Sequence, residues 1–200
     1  MKERPILFSA LMVRALLDGS KTQTRRVVKP QPSFFGSMTN PNTPFKTLDA
    51  GLHCQITCPY GQPGDQLWVR ETWCHQWDDF TGYQEEKFFY RASTPDVQHV
   101  DGAERSPWKP SIHMPRAASR ITLEITGVRV ERLQHISEAD ARAEGARNLD
   151  VASGRETLDP YSRQGSCVAH YKNIWQEING HDSWEANPWV WVIEFKRVTP

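Results

Sequence analysis

Nowhere do the 200 residues hold a run approaching the roughly 20 consecutive apolar positions that a membrane-spanning helix requires. The opening Met1-Lys2-Glu3-Arg4-Pro5 also lacks the apolar stretch of a secretory leader, so a cytoplasmic protein with no membrane partner is expected. Net charge is missing as well: 24 Lys and Arg balance 24 Asp and Glu. That balance argues against coating duplex nucleic acid by bulk electrostatics and leaves only a local patch for such a partner. Cysteine is scarce, with Cys54, Cys58, Cys74 and Cys167 the full set, and without a leader reduced thiols are the expectation. His53-Cys54, Cys58 and Cys74-His75 bring zinc to mind, yet their spacing matches no paired-knuckle template, so neither metal nor other cofactor is expected. The chain has no phosphate loop, dinucleotide glycine fingerprint, internal repeat or heptad. It also lacks the carboxylate cluster that two-metal hydrolysis needs.

What is present concentrates near the start. Gly19-Ser20-Lys21-Thr22-Gln23-Thr24-Arg25-Arg26 follows a short apolar run and sets a lysine, a threonine and an arginine pair beside a glycine. Ser9 as N-cap and Gly19 past the C-terminus bound a short helix over Ala10 to Leu17, with Met12, Ala15 and Leu16 on one face for core packing. On a regular strand Lys21 and Thr24, three apart, would face opposite sides, so they converge on one pocket only if the chain turns between them. Arginine outnumbers lysine two to one, and Arg25, Arg26, Arg116 and Arg120 are candidates for planar recognition of phosphates or bases, or else are structural.

Further along, residues 22 to 28 read as a strand, and the proline- and asparagine-rich stretch of about 30 to 62 reads as an irregular insertion. The turn Gly61-Gln62-Pro63-Gly64-Asp65 leads into a strand from Gln66 to Glu71. Residues 75 to 115 form a second loop-rich insertion, with a strand over Lys87 to Arg91. Its aromatic residues, with Trp73, Trp77, Phe80, Tyr83, Phe88, Phe89, Tyr90 and Trp108 in view, either pave a base-stacking surface or anchor the insertion. Ser119 to Glu131 alternates as a half-buried strand does, with Gly127 a bend. Ser137 to Asp140 has capping-box spacing and opens a helix that ends near Gly145, so Glu144 meets the negative end of the helix dipole and calls for a compensating cation. Tyr171, Ile174, Trp175 and Ile178 recur at helical spacing as core residues ahead of Gly180. Trp189 to Phe195 carries large side chains on both faces, as a central strand does.

The segment Gly19-x-Lys21-x-x-Thr24-x-Arg26 resembles the signature of the ASCH family, a branch of the PUA-like β-barrels. The preceding helix, the Gly64-Asp65 turn, the helix ending at Glu144-Gly145 and the closing Trp191 to Phe195 strand look like ASCH elements in the family's order. The likeness covers about two thirds of the chain, leaves the insertions aside and is similar to ASCH proteins of phages and prophages. It implies one α+β domain over 1–200, a mixed β-barrel with short flanking helices. ASCH proteins were first inferred to bind RNA, and one small bacterial group hydrolyses N4-acetylcytidine and related acylated cytosine nucleosides with a lysine, a threonine and a glutamate. Lys21 and Thr24 match the first two, and Glu144 best matches the third. Many nucleic-acid-binding ASCH domains carry glutamate where this chain has Thr24, which favours the hydrolase branch.

The chemistry those side chains offer is coherent. A threonine hydroxyl needs a base to attack an amide, and Lys21 can serve if burial and Arg25 or Arg26 lower its pKa. Glu144 would orient Lys21 or protonate the leaving cytosine N4, two roles that need opposite protonation states. Arg26 is the candidate for the pyrimidine carbonyl or the oxyanion, with Arg25 and Trp73 as further substrate contacts. The rival expectation is an RNA- or nucleic-acid-binding module without catalysis, in which Lys21 and Arg26 clamp phosphates. A role in a phage particle is a third.

Overall fold

A computed structural model describes residues 1–36, 42–77, 86–94, 99–100, 103–104, 107–147, 149–150 and 165–198. Five strands form the main sheet: β1 (Glu3–Leu7), β2 (Gln23–Val27), β3 (Gln66–Arg70), β4 (Thr122–Arg132) and β5 (Trp189–Val198). Among the described residues three α-helices accompany them: α1 (Ala10–Leu17), α2 (Glu138–Ala143) and α3 (Cys167–Asn179). The class is α+β with a mixed sheet in the order β1-β3-β4-β5-β2. Only the β1–β3 pair is parallel; β3 with β4, β4 with β5 and β5 with β2 are antiparallel.

The sheet is open. Among the described residues no backbone ladder joins the edge strands β1 and β2, so the closed barrel expected from sequence is not what these strands form. The chain leaves β1 at Leu7 and turns into α1, and a side chain spans the edges instead: Arg26 Nη2 donates to the Leu7 carbonyl at 2.6 Å. The sheet therefore curls enough to bring its two edges within the reach of one arginine.

Alternation decides which face each residue serves. On β5, Trp191, Ile193 and Phe195 enter one core with Val13 and Leu16 of α1 and Ile6, Leu67, Val69, Leu123 and Ile125 of the other strands. Val190 and Val192 enter a second core with Ala141 of α2 and Tyr171 and Trp175 of α3. Covered on both sides, β5 is the central strand its composition announced. The register of β4 on β5 shifts between Ile125 and Gly127, the bend expected there.

Local rules account for the helices. Ser9 Oγ accepts from the Met12 N–H, and Gly19, at φ 80°, takes the chain out of α1 in a conformation that L side chains seldom adopt. Ser137 and Asp140 form a complete capping box at the start of α2. Gly180 follows α3 as its spacing foretells, but Ile178 is exposed and Ile174 only half-buried, so two of the four expected core residues stand outside the core.

Both insertions hold more structure than their composition suggests. Residues Phe34–Phe35, Pro44–Thr47 and His53–Gln55 make a three-stranded antiparallel meander, with Phe34 stacked on Phe45 at 5.3 Å. Strands of two to four residues are too short for alternation to be legible. Trp73–Trp77 pairs with Glu86–Tyr90, where only the second of these was expected. Phe80 and Tyr83 lie outside the described residues.

Arg116 and Arg120, candidates for nucleic-acid contact, are engaged within the fold. Arg116 pairs with Glu3, and Arg120 grips the buried Glu71 carboxylate through Nε and Nη2, both at 2.9 Å, while stacking 4.0 Å from the Tyr90 ring. Arg120→Ala strands a buried carboxylate, so it should lower stability by about 3 kcal/mol, with Arg120→Lys losing less. Urea unfolding followed by tryptophan fluorescence measures both.

Candidate functional site

The turn between α1 and β2 brings the terminal residue of α2 against the Gly19–Arg26 segment. Lys21 N–H donates to the Ala15 carbonyl at 2.9 Å, Thr22 N–H donates to the Ala143 carbonyl at 2.8 Å, and Lys21 and Glu144 form an antiparallel bridge. Gly145 makes this approach possible. Its φ is 88°, and a Cβ there would stand 2.8 Å from the Ala15 Cβ, so a larger residue would push α1 and Lys21 away from Glu144.

The side chains then converge. Lys21 Nζ donates to Glu144 Oε2 at 2.8 Å and to the Glu144 carbonyl at 2.9 Å, with both side chains essentially inaccessible to solvent. Arg25 Nη1 reaches Glu144 Oε1 at 3.2 Å. These are the compensating cations that a carboxylate at the C-terminal end of a helix requires. Both Glu144 oxygens are thus taken up as acceptors, an arrangement suited to orienting Lys21 and unsuited to handing a proton to a leaving amine.

Burial lowers the Lys21 pKa, the charge and hydrogen bond of Glu144 work against that shift, and Arg26 and Arg25 reinforce it. The net direction is downward from 10.5, as a lysine base requires. Its Nζ lies 5.6 Å from the centre of the Phe8 ring, and the Arg26 guanidinium lies 5.4 Å from the same ring.

Arg25, expected as a substrate contact, lies within a network of carboxylates. Besides Glu144, its Nη2 lies 3.3 Å from Glu131 Oε2 and 3.5 Å from Asp140 Oδ2. Arg129 extends the network to Glu131, Asp140 and Glu194, and Gln23 Nε2 donates to Asp140 Oδ1 at 3.1 Å. Burial raises the Asp140 carboxyl, but hydrogen bonds from Ser137 and Gln23 and the Arg25 charge outweigh it, so the net shift is downward.

Thr24 and Glu144 line one small recess of about 50 Å³, together with Arg25, Arg26, Tyr171 and Trp175. It opens at the β2 edge between α1 and α3. Three buried donors from its lining residues have no protein partner: Arg25 Nε, Arg26 Nε and Trp175 Nε1. Uncompensated buried N–H groups are costly, so each calls for an acceptor, and all three belong to residues that line the recess. Burial, with the Glu144 charge adding to it, pushes the Tyr171 phenol well above its ordinary value and keeps it a proton donor. A larger cavity of about 360 Å³ adjoins the recess and shares Met12, Glu144, Tyr171 and Ile174 with it.

Trp73 is elsewhere. It is buried with Met114 and Ala118, lies 5.7 Å from Phe88, and lines neither cavity. Tyr171 and Trp175 are the aromatic residues that line the recess; their helical spacing read as core, and both are buried core residues whose side chains also carry polar groups. Among the described residues no three His, Cys, Asp or Glu side chains gather as a metal site. Cys54 is exposed, whereas Cys74 is buried on a separate strand.

Because the Lys21 pKa is lower folded than unfolded, the unfolded chain binds more protons between that lowered value and about 10.4, and stability rises with pH across this window. Glu144→Gln removes the influence that raises the Lys21 pKa, so the window should widen toward lower pH, alongside a loss of about 3 kcal/mol from uncompensated buried cations. Thermal midpoints of both proteins between pH 6 and pH 10 check the sign.

No helix among the described residues is long and apolar enough to cross a membrane. Comparison of the chain with protein-family models, with curated proteins and with solved structures finds no match.

Proposed function

We propose that the chain is a metal-independent amidohydrolase that removes the acyl group from N4-acetylcytidine or a related N4-acylated cytosine, on a PUA-like, ASCH-type scaffold. The observation that carries it is the buried Lys21–Glu144 pair at 2.8 Å, with Glu144 lining a recess together with Thr24 and with three residues that carry unpartnered N–H donors. The curl of the sheet, with Arg26 bridging its edges, supports the scaffold.

In this reading Thr24 Oγ attacks the acyl carbon while its proton passes to neutral Lys21 Nζ. The oxygen that becomes negative is held by the N–H groups of Arg26 and Trp175. Protonated Lys21 returns the proton to the cytosine N4 as the C–N bond breaks, leaving an acyl ester on Thr24 and freeing the cytosine. Water then attacks the ester, giving one proton to Lys21 and onward to Thr24 Oγ as the carboxylic acid departs. Glu144 accepts from Nζ throughout and keeps its lone pair directed. The chemistry needs no cofactor.

The alternative is a nucleic-acid-binding module without catalysis. A phosphate clamp by Lys21 fits poorly, since its side chain has no exposure and both assigned hydrogen bonds go to Glu144. Arg26 keeps one edge on the recess but is bonded to Leu7.

Purified protein should convert N4-acetylcytidine to cytidine in a chromatographic assay, with the rate rising with pH through a limb below the ordinary lysine range. Thr24→Ala and Lys21→Ala should each lower kcat by about 10²- to 10⁴-fold. Lys21→Arg, which keeps the charge but cannot accept a proton, should be as inactive as Lys21→Ala. A folded wild type inactive on N4-acylated cytosines, with affinity for RNA that falls steeply with salt, would replace this reading by the binding module.

A further inference from the structure

The acyl group and the base of an acylated cytosine need different amounts of room. A recess of about 50 Å³ is the share of one or two water molecules, enough for a small acyl group beside Thr24 and too small for a pyrimidine. The adjoining cavity of about 360 Å³ has the size of a small-molecule site and can take the base and its sugar. On the amidohydrolase reading the scissile amide therefore lies where the two spaces meet. Met12, Glu144, Tyr171 and Ile174 line both of them. Met12 and Ile174 are apolar, and the two Glu144 carboxylate oxygens are engaged by Lys21 and Arg25. Of these shared side chains, Tyr171 alone carries a polar group that is uncommitted.

Among the described residues none hydrogen-bonds to the Tyr171 hydroxyl: burial and the charges of Glu144, Arg25 and Arg26 act on it, and no hydrogen bond does. Nor is its oxygen sealed off as the unpartnered Arg25 Nε, Arg26 Nε and Trp175 Nε1 are, so the 4% of Tyr171 that stays exposed includes the oxygen. The open space that Tyr171 lines is that of the recess and the cavity. Its ring is held in the core, with Trp175 at 6.1 Å and Trp184 at 6.3 Å between ring centres. A fixed ring thus carries a neutral O–H donor at the wall the two spaces share.

We propose that the Tyr171 hydroxyl is a substrate contact that donates to ring nitrogen N3 of the acylated cytosine. The inference rests on the amidohydrolase reading for the reaction and on the shared wall of recess and cavity for the contact. N3 is the acceptor bonded to the same ring carbon as the acylated N4, so it comes to the junction whenever the acyl group is beside Thr24 and the ring is in the cavity. As the acyl C–N4 bond breaks, the electron pair left on N4 spreads onto N3 until Lys21 delivers the proton. The phenol hydrogen bond strengthens with that charge, and Tyr171 keeps its own proton throughout.

Tyr171→Phe keeps the ring and removes the donor. On N4-acetylcytidine it should lower kcat/KM by about tenfold. On N4-acetyl-3-deazacytidine, in which a C–H group replaces N3, the variant should match the wild type, because neither protein makes the bond. A merely structural role would slow both substrates alike. Calorimetric titration with cytidine and 3-deazacytidine reads the contact without turnover: the wild type should bind cytidine about threefold more tightly or better, and the variant should bind the two equally. That binding pattern with no hydrolysis of N4-acetylcytidine would sink the amidohydrolase reading and leave the contact standing. Equal binding of the two nucleosides by the wild type, an unchanged rate in Tyr171→Phe, or the same loss on both acylated substrates would overturn the Tyr171 proposal.

Discussion

The arrangement turns on a carboxylate placed where a helix would reject it. Glu144 closes α2, at the end where the backbone carbonyls already concentrate negative charge, and it is buried. Such a group persists only with cations against it, and the two that meet it, Lys21 and Arg25, come from one short segment at the entry to β2. The pairing therefore dictates that α2 dock on that segment. The backbone follows, through Thr22 to Ala143 and the Lys21–Glu144 bridge.

Around this pair the charges are graded by depth. Lys21 and Glu144 are the innermost, Arg25 links them to Glu131 and Asp140, and Arg129 carries the network to half-exposed Glu194. Asp140 caps α2 through Ser137 and also pairs with Arg25 and Arg129, so one residue both starts the helix and ties it to the sheet. A network of this kind contributes little net stability compared with apolar packing of the same volume. What it supplies is a fixed orientation of Lys21 against Glu144, which apolar residues could not hold.

The candidate site sits where the sheet ends. Among the described residues β2 is an edge strand with one side free of pairing, and residues of α1 and α3 line the recess and the adjoining cavity beside it. Residues that look like helix core from their spacing, Met12, Tyr171 and Ile174, are consequently lining residues with one side in the cavity. Ile178 and Leu11 remain exposed nearby for the same reason: the sheet edge gives their helices less to cover.

The sequence by itself determined the local elements whose causes are local. Ser9, Gly19, Ser137, Asp140 and Gly180 mark helix ends through hydrogen bonds made within a few residues, and the two-residue alternation of β4 and the two-sided bulk of β5 announce their burial. Lys21, Thr24 and Glu144 stood out as residue types, and the need of Glu144 for a cation was legible from its place at a helix end. Tertiary structure alone decided which cation answered it. Arg25 and Arg26 are neighbours of the same chemistry, yet strand alternation sends Arg25 to the carboxylates and Arg26 across the open sheet to Leu7 and Phe8. Likewise, only packing could separate Trp73, buried against Met114, from Trp175, which lines the recess. The physical reason is range: a cap or an alternation is settled by neighbours along the chain, while the partner of a buried charge or donor is settled by segments more than a hundred residues away.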